Sequence, residues 1–170
     1  MSTTDRIEKR IVLRAPRSRV WRALTNAEEF SAWFEVSLEH QGTFRAGDAV
    51  QCRWSGHDPG CEGSTSPEGA QERGQLYTYM TIDRVEPERV FAYRWVPGDH
   101  QPGTDFSKEP TTRVEFHLDE SPEGTLLRVV ETGFDALAPE RRARAHALND
   151  NGWTHQMKNI ARYLHERAKS

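Results

Sequence analysis

Two side chains in this sequence have types suited to general acid/base chemistry. Glu131 ends the run Leu127-Arg128-Val129-Val130-Glu131 and shares parity with Leu127 and Val129. If that run is a strand with one buried face, the parity turns Glu131 inward among apolar side chains. A carboxyl placed there stays protonated or finds a donor. His146, at the start of a helical pattern, supplies such a donor if the helix start faces the end of the strand. A Glu–His pair of this kind can tune its proton affinities toward neutrality, which is what acid/base catalysis needs. The alternative is a Glu131 at the rim of a sheet, simply solvated, and both readings stay open at this point. No activated nucleophile accompanies the pair: there is no Gly-x-Ser-x-Gly and no cysteine beside a credible base.

A second constellation is Cys52, His57 and Cys61, spaced C-x4-H-x3-C in a glycine-rich stretch. Thiolate and imidazole suit zinc, but a structural site takes four ligands, and His40 or His100 would have to come from elsewhere. The spacing matches no zinc pattern, so no metal and no other cofactor is expected, and Cys52 reads as a small core residue. The remaining bounds come from composition. With 170 residues the chain makes one domain, 1–170, at roughly 100–200 residues per domain. Its 23 basic and 26 acidic residues leave a net charge of −3, so no basic excess exists to drive binding to nucleic acid. The basic stretch Glu140-Arg141-Arg142-Ala143-Arg144 reads as a solvated helix face. A mean hydropathy of −0.82 and the absence of a long apolar run argue against a transmembrane segment, and the start MSTTDRIEKR has no apolar signal core. The expectation is a soluble, cytoplasmic protein with disordered tails at 1–5 and 168–170.

The elements that must position these residues follow from periodicity. Ile7, Ile11 and Leu13 alternate with Glu8 and Arg10, a half-buried strand with Lys9 at one inward position. Pro16 then suits the first turn of a short helix whose apolar stripe is Val20, Trp21 and Leu24. Asn26 and Glu29 form a capping-box-like start for a second helix with the face Phe30, Trp33, Phe34. Short strands are expected at Val36–His40 and Gly42–Arg45, then around Val50, Cys52 and Trp54. Longer ones follow at 73–86, Val90–Val96, Thr111–Leu118 and Thr125–Phe134. Close spacing with tight turns means an antiparallel meander. In Ser55–Glu72, ten of eighteen residues are Gly, Pro, Ser or Thr, a long connection of the kind that is a lid, a binding loop or disordered. Tyr77 and Tyr79, if turned outward, make an aromatic association surface.

Pro139 opens a long helix that runs to about Arg167. Trp153, Met157, Ile160 and Leu164 share one face, and continued backwards that face meets Asn149 and His146, so it is apolar late and polar early. Gly152 inside it suits either a close backbone approach or a bend.

The arrangement resembles the helix-grip fold of the START-like, or SRPBCC, superfamily. The residues that carry the resemblance are Ala15-Pro16, Val20 to Thr25, Phe30 to Phe34, Glu86 to Val90, Thr125 through Glu131-Thr132-Gly133-Phe134, and Gly152-Trp153. In order and spacing they are similar to the branch of the activator of heat-shock-protein-ninety ATPase, over nearly the whole chain. The resemblance implies an α+β fold: a curved antiparallel sheet of about six to seven strands wrapped around the C-terminal helix, with two short helices after the first strand. It also implies a cavity between sheet and helix for a hydrophobic or amphipathic small molecule, such as a lipid or polyketide. If the strand parities Phe91, Tyr93, Trp95 and Val114, Phe116, Leu118 face inward with Leu127, Val129 and Glu131, that site is lined by Tyr93, Trp95, Phe116, Val129, Glu131, His146, Asn149, Trp153 and Met157. Two other functions stay open. One is a cyclase, dehydratase or hydrolase using Glu131 and His146. The other is a co-chaperone-like module whose partner is a chaperone or a second copy of the chain.

Overall fold

Short alternating runs divided by turns pair antiparallel, and these do. The structure, a computed structural model, describes residues 5–54, 77–97 and 109–168, with the side chains at 53, 54, 77–79 and 168 outside that description. The elements are β1 (Arg6–Leu13), α1 (Arg17–Thr25), α2 (Ala27–Phe34), β2 (Val36–Glu39), β3 (Ala49–Trp54), β4 (Tyr77–Glu86), β5 (Val90–Trp95), β6 (Thr112–Ser121), β7 (Gly124–Thr132), a 3-10 turn (Phe134–Ala136) and α3 (Pro139–Ala168). The strands form one curved sheet in the order β1-β7-β6-β5-β4-β3-β2, every pair antiparallel. Two short helices follow the first strand and α3 lies on the concave face, an α+β helix-grip architecture.

Register lays the concave side chains in rows across the strands. Tyr93 pairs with Val114, Val114 with Glu131, and Glu131 with Ile7. One step along, Phe91 pairs with Phe116 and Phe116 with Val129. These residues are all 2% exposed or less, so the row is core. Lys9, on the inward parity of β1, reaches the end of its row and pairs with Asp150 of α3 at 3.0 Å. The α3 face Trp153, Met157, Ile160 and Leu164 is buried as its spacing requires.

Several local expectations are corrected. Gly42–Arg45 is no strand: only Thr43 forms a bridge, to Asn26, while the Phe44 N–H bonds the Thr25 carbonyl at 2.8 Å. The helix junction captures this segment and seats Phe44 against Phe30 and Phe91. The strand expected through Phe134 stops at Thr132, because Gly133 turns left-handed at φ +103° and starts the 3-10 turn. Gly152 meets nothing within 4 Å of a Cβ, so no close approach explains it. The capping box is half formed. Asn26 Oδ1 accepts the Glu29 N–H at 3.0 Å, whereas the Glu29 carboxylate turns to Arg19, Arg22 and Tyr163. Asp5, inside the tail expected over 1–5, is held: its Oδ1 accepts the Asp135 N–H at 3.1 Å; the rest of both expected tails, apart from Ala168, and the loop Ser55–Glu72 lie outside the described residues. Among the described residues no helix is long and apolar enough to cross a membrane.

Candidate functional site

Glu131 is fully buried, which removes the solvated-rim alternative. Its carboxylate, carried by β7, is surrounded by four donors, one from β5, one from β6 and two from α3. Oε2 accepts Trp95 Nε1–H at 2.8 Å and Thr112 Oγ1–H at 2.6 Å. Oε1 accepts Trp153 Nε1–H at 2.8 Å, and the Asn149 amide lies 2.9 Å from both oxygens. All four partners are neutral. Burying a carboxylate without a countercharge costs several kcal/mol, and only a full set of hydrogen bonds can offset it. Indole N–H groups can donate and never accept, so the geometry is that of a carboxylate used as an acceptor on both oxygens.

The register explains this convergence. Thr112 and Trp95 pair with each other one step beyond the Tyr93–Val114–Glu131 row. Both therefore reach Glu131 diagonally across the pleat. Asn149 and Trp153, four residues apart, stand one above the other on α3 and meet the carboxylate from the other side.

His146 does not join them. Its Nε2 lies 3.0 Å from the Arg6 carbonyl oxygen and its ring packs on Phe134, with centroids 5.2 Å apart. The first turns of α3 cross the β1 edge, where that carbonyl engages the imidazole. Asn149, one turn later, stands where the acid/base reading needed His146.

Around the carboxylate lies an aromatic wall. Trp153 contacts Trp95, Phe116 and Phe34 with centroids 5.8, 5.7 and 5.9 Å away. Tyr93 contacts Trp95 at 5.2 Å and Phe116 at 6.1 Å, with Phe30 and Phe91 beyond. Val129 and Met157 are buried in the same layer. Sequence reasoning missed Thr112, which shares the parity of Val114 and Phe116, and it took Phe34 for helix packing alone. The parity of Thr112 was the available signal.

Cys52 is a buried free thiol in β3, and burial pushes its pKa up to about 12, a thiol with little nucleophilic character. His57, Cys61 and His100 lie outside the described residues, and His40 sits 3.6 Å from Asp48 Oδ2. The outward placement of Tyr77 and Tyr79 falls on side chains that are not described. A separate surface cleft of about 470 Å³ is lined by Arg19, Arg22, Glu28, Glu29, Tyr163 and Arg167. Glu29 engages Arg19, Arg22 and Tyr163 there, so the cleft holds paired charges rather than a site in waiting.

The fold and this geometry meet a known family. Residues 14–165 match the family described as "Activator of Hsp90 ATPase homolog 1-like protein". The chain belongs to that family. Among solved structures it is similar to protein MLL2253 from Mesorhizobium loti, at 20% identity over 95% of this chain and 97% of that one, with a TM-score of 0.67. It is also similar to NE0264 from Nitrosomonas europaea, at 16% identity over 98% of each chain and a TM-score of 0.68. DynU16, described as belonging to the dynemicin biosynthetic locus, aligns at 22% identity and a TM-score of 0.66 over 95% of this chain but 47% of its own. At such identities these likenesses show a shared fold. No curated protein matches the sequence.

Proposed function

We propose that this member of the activator-homologue family binds a hydrophobic or amphipathic small molecule between the concave face of its sheet and α3, without catalysing a reaction on it. The observation that supports the reading is the composition of the layer under α3. Trp95, Phe116, Trp153 and Met157 form an apolar wall around a few fixed polar groups, Glu131, Asn149 and Thr112. Small-molecule sites are built in this way, mostly apolar with a few placed polar groups that orient the guest. The separation of His146 from Glu131 leaves the wall without a proton-shuttling pair, which favours binding over chemistry.

The test is occupancy. Native mass spectrometry of protein purified without denaturation should show a bound small molecule, and the neutral dye Nile red should bind with a blue-shifted emission. Trp153→Ala should weaken dye binding by more than its loss of stability accounts for. A protein that is empty by mass spectrometry and does not bind the dye would refute the proposal.

A further inference from the structure

The Tyr93 hydroxyl is buried and has no hydrogen-bond partner. The other buried side-chain atoms in that condition among the described residues are guanidinium nitrogens, of Arg19, Arg113 and Arg142, and each faces a carboxylate, at 2.7, 2.9 and 3.8 Å. Tyr93 has no such compensation. A buried polar group left unpaired is rare in native proteins and points to something that pairs with it. The hydroxyl lies within the apolar layer already proposed to hold a guest, with Phe30, Phe91, Trp95 and Phe116 around its ring.

Glu131 belongs to the same register row, two strands away, and its oxygens are already taken by four donors. The carboxylate therefore offers a guest no vacant acceptor. It imposes a negative potential that none of its own partners neutralises. Burial, then the charge of Glu131, hold the Tyr93 phenol well above its ordinary pKa, so it keeps a proton to donate.

We infer that Tyr93 is the polar recognition point of the site and that its ligand is a neutral, ring-bearing molecule presenting a single carbonyl or hydroxyl oxygen to that phenol. An anionic amphiphile such as a fatty acid would set its carboxylate against Glu131, none of whose hydrogen-bond partners is a cation. This inference rests on the binding function proposed above and narrows it to a ligand class.

Three matched probes test it on the full chain, followed by tryptophan fluorescence and calorimetry: 9-fluorenone, fluorene and fluorene-9-carboxylate. They share a ring frame and differ in offering a neutral acceptor, no polar atom, or an anion. The wild-type protein should bind fluorenone about tenfold more tightly than fluorene, the scale of one net hydrogen bond. The carboxylate should bind most weakly of the three. Tyr93→Phe should bring fluorenone and fluorene to equal affinity. Equal affinities in the wild type, a preference for the carboxylate, or a fluorenone preference that survives Tyr93→Phe would each overturn the assignment while leaving small-molecule binding intact. Binding of none of the three, together with an empty protein by native mass spectrometry, would overturn both. If Tyr93→Phe fails to fold, the wild-type ranking of the three probes decides alone.

Discussion

Replacing Glu131 with glutamine changes one oxygen into an amide and tests whether the buried carboxylate acts as an acceptor on both sides. In the wild type, Oε1 faces Trp153 Nε1 and Asn149, and Oε2 faces Trp95 Nε1, Thr112 and Asn149. Glutamine has one carbonyl oxygen, so in either orientation its NH2 confronts an indole N–H. Thr112 can rotate its hydroxyl and Asn149 can flip its amide, but an indole has no acceptor to present. At least one indole hydrogen bond is therefore lost outright, and the rest lose their charge assistance. Each bond to an ionised group contributes about 1.5–3 kcal/mol, and a buried donor left unpaired adds about 1–3 kcal/mol. Against these stands the removed desolvation penalty of the carboxylate, itself several kcal/mol. The balance is a destabilisation of about 2–4 kcal/mol, a fall in Tm of roughly 5–15 °C for a domain of this size. Urea unfolding at pH 7, followed by far-ultraviolet circular dichroism and by tryptophan emission, measures it. Glu131→Gln as stable as the wild type, or more stable, would show that the donors do not depend on the ionised acceptor and would refute the reasoning.

Three further outcomes follow from groups away from the wall. Burial works against the charge of Glu29, but the Tyr163 hydrogen bond and the cations Arg19 and Arg22 outweigh it and hold the carboxyl below its ordinary 4.5. Its contribution is present above that value and lost as pH falls through the lower folded value, so Glu29→Gln should flatten acid unfolding there, by about 1 kcal/mol or less, in urea titrations below pH 4.5. His117 is lowered from 6.5, first by burial and then by Arg128, its direct partner across β6 and β7, against the opposing pull of Glu115 and Asp119 and with Arg84 nearby. Below pH 6.5 the unfolded chain takes up a proton that the folded state resists, so stability should fall as pH drops from there to the folded value, and His117→Gln should remove that slope from the stability–pH curve. Gly124 sits at φ +144°, and a Cβ there would lie 2.2 Å from the Leu13 carbonyl oxygen, so Gly124→Ala should destabilise by more than about 2 kcal/mol in urea unfolding; a neutral result would mean that the β6–β7 turn yields without consequence.

The sheet, the helix order and the buried face of α3 are all readable from period-2 and period-3.6 spacing, because each element meets the core along one side. What spacing does not carry is where neighbouring elements capture a segment. Thr43 and Phe44 satisfy their backbone on the α1–α2 junction rather than on a strand. The shift between Ile82 and Arg84 in β4 marks a bulge at Asp83 that puts Val85, not Arg84, opposite Phe91. The candidate site divides in the same way. Parity alone turned Glu131 inward, yet its partners Trp95 and Thr112 come from other strands and depend on register. His146 and Asn149 lie three apart on one helix face, so periodicity could not choose between them. The Arg6 carbonyl at the sheet edge makes the choice, because it engages the imidazole.

The same hydrogen bonds explain why a carboxylate stands in an aromatic wall at all. Trp95 and Trp153 each bring an indole N–H into a layer closed to bulk solvent, and Asn149 and Thr112 add donors beside them. One carboxylate supplies acceptor sites for all of them, and in doing so fixes the rotation of α3 over β5, β6 and β7. If that is its role, the group is needed only while its donors remain. Removing the whole set together, as Glu131→Leu, Trp95→Phe, Trp153→Phe, Asn149→Leu and Thr112→Val, deletes every buried polar atom of the cluster and leaves an apolar layer of similar volume. Breaking a buried polar cluster at one member is costly, whereas replacing it entirely is often neutral or stabilising by about 1–4 kcal/mol. The fivefold variant should therefore recover most of the stability lost by Glu131→Gln in the same urea assay. A variant that unfolds more readily than Glu131→Gln would mean that the cluster contributes net stability rather than a fixed orientation of α3.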